Sequence, residues 1–151
     1  MKNYFFAILS ISLLISCAST KETNSQKKAN TQVEKASIML IENNQWELLT
    51  FNGKAAKEAG FVNTTPHITI NKEKGSIGGN SGCNSFGGNA KVGESSITFG
   101  MFMSTKMYCD GVPETEFFKL LEGDVDYRII GNKLLLSKEG KVFMEFQLKE
   151  K

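Results

Sequence analysis

From Trp46 to the C-terminus, short runs of β-branched and aromatic residues are separated by clusters of Gly, Asn and Lys. This punctuation predicts an antiparallel β layer with small helical additions. Residues 46–51 (Trp-Glu-Leu-Leu-Thr-Phe) partly alternate, with Trp46, Leu48 and Phe51 expected inward, and Asn52-Gly53 supplies a turn. Residues 67–71 alternate cleanly, 72–75 turn and 76–80 return, which predicts a hairpin. Residues 96–99 predict another short strand. A second hairpin is expected from 127–130, the Gly131-Asn132 turn and 133–137, followed by a turn at 138–141 and a last strand at 142–148. On that strand Val142, Met144, Phe146 and Leu148 share one face against Phe143 alone on the other, so the four are expected inside.

One segment changes period. Pro113 suits the first helical position, Glu114 and Glu116 place negative charge in the first turn, and Phe117, Phe118, Leu120 and Leu121 form a wide apolar stripe before Gly123. A helix is predicted over residues 113–122. A helical turn is also expected over 54–59, ending at Gly60.

The N-terminus has a different pattern. After Met1 and Lys2 an apolar run from Tyr4 leads to Leu14-Ile15-Ser16-Cys17. This resembles a bacterial lipoprotein signal, which implies removal of residues 1–16 and lipidation at Cys17. About a dozen apolar residues fall short of the roughly twenty that span a bilayer, so an anchored protein is expected rather than a spanning one. Residues 17–35 are too polar to bury a core and read as a lipid-anchored tether, leaving 36–151 as one folded domain. Ala18 and Ser19 do not resemble an inner-membrane retention signal. The expected location is the cell envelope, at the outer membrane of a Gram-negative bacterium.

Charge narrows the partners. The chain has 18 Lys and Arg against 16 Asp and Glu, so removal of Lys2 with the signal leaves the mature protein nearly neutral. There is no electrostatic footprint for nucleic acid. The expected partners are the membrane, through the lipid at Cys17, and an envelope protein of unknown identity.

Once Cys17 is lipidated, Cys83 and Cys109 remain in a compartment where thiols are usually oxidised. A disulfide is the favoured reading. A pair of buried free thiols and a metal or redox role stay open.

Around Cys83 runs Gly-Gly-Asn-Ser-Gly-Cys-Asn-Ser-Phe-Gly-Gly (78–88), and later come Thr105-Lys106-Met107-Tyr108-Cys109 and the Phe-Phe-x-x-Leu helix. With Trp46-x-Leu48 before them and a Gly-x-x-Leu-x-Leu strand at Gly131 after them, these motifs resemble the META domain family, which includes the HslJ heat-shock lipoproteins. The resemblance covers Trp46 to about Leu148. It implies an α+β fold of mostly antiparallel sheet curled towards a barrel, with one main packed helix, in an envelope protein linked to stress. Gly82, Asn84, Phe86, Gly88, Thr105, Lys106 and Met107 are then expected to form a structural motif.

Chemistry beyond structure finds little support. The glycines of 75–88 lack the Gly-Lys-Ser/Thr ending and following helix of a phosphate loop, so Gly78, Gly79, Gly82, Gly87 and Gly88 are expected to serve bends and close backbone approach. Asn84 is expected to hydrogen-bond backbone groups freed by such a bend. His67, the one histidine, has no nominated triad partner, and Ser104 with Lys106 has no assignable oxyanion element. No catalytic residue and no cofactor are expected. Met101, Met103, Met107 and Cys109 form the soft-metal alternative, thioether and thiolate suiting Cu(I). Core packing is the favoured reading of the three methionines. The expected function is a non-enzymatic stress-response or interaction module, with a binder of a small apolar ligand or lipid as the alternative.

Overall fold

The computed structural model describes residues 39–42 and 44–149. The signal segment, Cys17 and the tether lie outside the described residues.

Nine strands form one antiparallel sheet: β1 (Gln45–Phe51), β2 (Lys54–Ala55), β3 (His67–Asn71), β4 (Ser76–Asn80), β5 (Ser85–Val92), β6 (Ser96–Ser104), β7 (Gly123–Ile130), β8 (Lys133–Lys138) and β9 (Lys141–Leu148). The order is β2-β1-β3-β4-β5-β6-β7-β8-β9, and β9 pairs back onto β1, so the sheet returns on itself as a ring. β9 follows one edge of β1, while β3 and β2 share the other in turn. The main helix, α1 (Glu114–Leu121), lies between β6 and β7 in sequence. Mostly antiparallel sheet with one main packed helix is the α+β class the sequence predicts. No helix among the described residues is long and apolar enough to cross a membrane.

Alternation explains what lies inside. Trp46 and Leu48 from β1, Ile68 and Ile70 from β3, Leu134 and Leu136 from β8, and Phe146 from β9 are buried together in one cluster. Bulges set the phase where simple alternation fails. Between Leu48 and Thr50 the register of β1 against β9 shifts by one, which brings Phe51 into the core despite its odd spacing from Leu48. A second shift, where Leu136 faces Met144 but Ser137 faces Val142, makes Phe143 the extra residue of β9. Phe143 is therefore buried beside Met144, whereas Val142 and Leu148 are only half-buried. The expectation that Phe143 faces outward is corrected by that bulge.

Two local readings also change. Residues 54 and 55 pair with β1 as a short strand, which confines the turn to residues 56–60. β5 lies within the glycine-rich stretch and pairs with both β4 and β6. Its Gly-Gly pair hides it from propensity. The strand is held instead by neighbours that need small residues on the adjoining surface.

α1 begins after Pro113, which caps it rather than occupying its first turn. Its buried Phe117 and Leu121 face the cluster, and Phe117 and Phe118 meet Phe86 at ring-centroid distances of 6.0 and 5.2 Å. Such edge-to-face contacts stabilise beyond what the area they bury contributes.

Candidate functional site

The turn from β4 into β5 satisfies its own polar groups. Asn80 Oδ1 accepts the Gly82 N–H at 2.8 Å. Ser81 N–H donates to the Asn84 carbonyl at 2.9 Å, and Asn84 N–H returns to Ser81 Oγ at 3.1 Å. Gly82 has φ +95°, and a Cβ there would lie 2.5 Å from Phe61 Cδ1. Only glycine fits both the conformation and the contact.

Asn84 emerges from this turn almost fully buried, at 1 % exposure. Its Oδ1 accepts from Thr105 Oγ and from Met107 N–H, each at 2.8 Å. Its Nδ2 donates to the Met107 carbonyl at 3.1 Å and to Glu114 Oε2 at 2.8 Å. Two acceptor and two donor positions are thus all used, the full capacity of an amide side chain. The other carboxylate oxygen of Glu114 accepts from Ser81 Oγ. The Ser81 hydroxyl carries one proton and lies near both Glu114 and the Asn84 carbonyl. The carboxylate takes it, because charge-assisted bonds are the stronger and the carbonyl already receives Ser81 N–H. Glu114 opens the first turn of α1, where negative charge also suits the helix dipole.

Beside Asn84, Cys83 and Cys109 are joined in a disulfide with Cα atoms 5.8 Å apart. The covalent bond and the Asn84 amide therefore tie the same two segments. Phe86 continues into the aromatic cluster with Phe102, Phe117 and Phe118, and Gly88 pairs with Phe102 across β5 and β6. Gly82, Cys83, Asn84, Thr105, Met107 and Cys109, far apart in sequence, meet here. Lys106 does not join them; its side chain is exposed. Glu114 and Ser81 are the members that sequence reading misses. In the sequence Glu114 marks only the start of a helix, and its spacing from Asn84 gives no sign of the contact.

The methionines lie elsewhere than expected. Met101, Met103 and Met107 are 87 %, 78 % and 59 % exposed, and Tyr108 is 88 % exposed. Core packing is therefore corrected: on β6 the inward positions go to Ile97, Phe99 and Phe102, Met101 and Met103 take outer ones, and Met107 lies exposed beyond the strand. The soft-metal set of Met101, Met103, Met107 and Cys109 loses its thiolate, because Cys109 is in the disulfide. Among the described residues no group of three or more His, Cys, Asp or Glu converges as metal ligands would.

His67 begins β3, away from this network. Its pKa lies below the ordinary histidine value, chiefly because burial disfavours the charged ring and secondarily because Lys149 is near; Glu47 and a backbone hydrogen bond at Thr65 oppose the shift. Lys149 Nζ itself contacts Glu47 Oε1 at 2.6 Å.

The sequence profile of the META domain matches residues 39–151. The chain belongs to the META domain family. Among solved structures, a protein structure determined by NMR aligns with TM-score 0.56 and 22 % identity, covering 71 % of this chain and 90 % of its own. An NMR structure from Burkholderia xenovorans gives 0.54 and 16 %, covering 95 % and 100 %. A crystal structure of a DUF4847 family protein from Bacteroides vulgatus gives 0.53 and 19 %, covering 72 % and 94 %. At these identities the likeness is one of fold. No curated protein matched the chain.

Proposed function

We propose that this META domain is a non-enzymatic interaction module, held at the cell envelope by a lipid on Cys17 and acting in stress tolerance. The observation that carries the interaction reading is the exposure of Met101 and Met103 on β6 and of Met107 and Tyr108 in the segment from β6 to Cys109. Large apolar side chains are normally covered, and flexible thioethers suit a surface that adapts to a partner. The non-enzymatic part is supported by the polar centre. All four hydrogen-bonding positions of the Asn84 amide, and both oxygens of Glu114, are engaged within the protein. Groups satisfied in this way serve as braces, which supports a structural rather than a catalytic reading of the centre.

The anchoring reading rests on Leu14-Ile15-Ser16-Cys17 alone. Photocrosslinking in intact cells tests the interaction reading, with benzoylphenylalanine introduced in place of Tyr108 and, as a control, in place of Ile130, which is 60 % exposed on β7. A discrete product from position 108 and none from 130 is expected. Absence of a product from 108 under conditions where the protein is folded and anchored removes the reading.

A further inference from the structure

The two edges of β6 are used unequally. β5 pairs along it from Val92↔Ile97 to Phe86↔Ser104, but β7 pairs only over Ser96↔Asp126 to Phe99↔Gly123. Over residues 100–104 one edge has no strand partner among the described residues. The phase of the ladder fixes which groups face outward. Thr105 N–H donates to the Ser85 carbonyl at 3.1 Å, one step beyond the Phe86↔Ser104 pair. Antiparallel ladders alternate between pairs that exchange hydrogen bonds and pairs that do not. Met103 therefore bonds towards Gly87, and Phe102 and Ser104 turn their N–H and C=O groups to the open edge.

α1 borders this edge, its C-terminal end leading through Glu122 into Gly123 opposite Phe99. A groove of about 330 Å³ lies between helix and strand beside the Phe102–Phe118 ring contact, whose centroids are 5.4 Å apart, and is lined by Gly100, Ser104, Thr115 and Lys119 among others.

We propose that this groove receives an extended peptide segment of a partner protein, which adds as a strand to β6 and sets an apolar side chain against Phe102 and Phe118. The inference rests on the interaction-module reading and supplies its mode of recognition. The open main-chain groups decide the occupant. An extended polypeptide presents N–H and C=O at the spacing of a strand, whereas a lipid or small apolar molecule would cover Phe102 and Ser104 without bonding them. Residues on the other face of the added strand would lie beside Met101 and Met103. Lys119 and Glu122 at the rim supply both signs of charge, so the segment needs no strong net charge. A second copy of this chain fits less well: α1 borders the groove, and pairing β6 with β6 would set one helix against the other in the space of a single strand.

The test selects peptides from a random phage-displayed library on the full chain, then measures binding of the most enriched sequence as a fluorescein-labelled synthetic peptide. Sequences with alternating apolar residues are expected, with amide NMR shifts concentrated at residues 100–104 and in α1. Methylating alternate backbone nitrogens of the peptide, which keeps every side chain, is expected to weaken binding at least tenfold. Thr115→Trp, which fills the groove from an exposed helix position, is expected to do the same. Failure to enrich any sequence, binding that survives N-methylation, shifts confined elsewhere, or dimerisation through this edge would each overturn the proposal. Those outcomes leave crosslinking from position 108 intact if the broader interaction reading holds, so the two can fail separately.

Discussion

Asn84 and Glu114 meet across the fold, Nδ2 to Oε2 at 2.8 Å, and that contact joins the β4–β5 turn to the first residue of α1. The same amide holds Thr105 and Met107 on its other side. One buried side chain thus fixes where the helix starts and how the segment after β6 returns to it.

Asn84→Ala is expected to cost about 2 to 4 kcal/mol in urea denaturation, since it removes four hydrogen bonds made by a buried amide and leaves its part-buried partners without replacements. Asn84→Asp should be comparably harmful at neutral pH, because an acceptor would then face the Glu114 carboxylate and the Met107 carbonyl. Adding Glu114→Gln should restore part of that loss by giving the pair a donor again. A strictly additive double variant would show that the two side chains do not communicate.

The Cys83–Cys109 bridge closes a sequence separation of 26 residues. In the chain-entropy account, such a loop contributes roughly 3 to 4 kcal/mol, less any native strain. Paired Cys83→Ala and Cys109→Ala substitution, or reduction, should lower the thermal midpoint accordingly. Peptide mass spectrometry without reductant should find one crosslinked pair; free thiols titrating in protein from an oxidising envelope would contradict it.

Gly79 faces Ile68 across β3 and β4, and a Cβ at this position would lie 2.0 Å from the His67 carbonyl oxygen. Gly78, one residue away, would place its Cβ at an ordinary 3.5 Å from the Phe86 carbonyl. Gly79→Ala is therefore expected to abolish or severely reduce soluble folded protein, while Gly78→Ala keeps a dispersed amide spectrum. Equal behaviour of the two variants would refute close backbone approach as the reason for glycine at 79.

These contacts mark what the sequence could and could not show. The hairpins around residues 67–80 and 127–137 are legible because alternation and turn residues agree there, and the helix because its apolar stripe, acidic start and flanking Pro and Gly agree. β5 is not legible, since Ser-Phe-Gly-Gly has no propensity that reveals a strand whose neighbours demand small residues. Phe143 is misplaced by simple alternation because a bulge adds one residue to β9 without a local signal. At the site, Asn84 can be singled out as a backbone-binding residue in a bend. Its link to Glu114 spans 30 residues and exists only once the helix has docked.

Removing the lipid site tests the N-terminal reading independently of the fold. Cys17→Ser should leave unprocessed precursor in cells and abolish metabolic labelling with fatty acid, since the thiol is the acceptor in the lipoprotein pattern. Deleting residues 18–35 should leave the thermal midpoint of the soluble domain within about 2 °C, the small effect expected of a segment too polar to bury a core. Continued labelling of the Cys17→Ser protein would exclude Cys17 as the anchor.

His67 should make stability fall on mild acidification. Burial and the Lys149 charge lower its pKa in the folded protein, so between the folded value and the ordinary value near 6.5 the unfolded chain binds more protons. Stability contributed by this group is present above the unfolded pKa and is lost as pH falls through the folded one. His67→Gln, which cannot take up the proton, should show a smaller difference in thermal midpoint between pH 7.5 and pH 5 than the parent. Opposing Glu47 sharpens the test, because Glu47→Gln removes a charge that favours the imidazolium and should increase the acid sensitivity carried by His67. If His67→Gln leaves the pH profile unchanged, the acid response belongs to other groups, and the strand-end histidine plays no part in it.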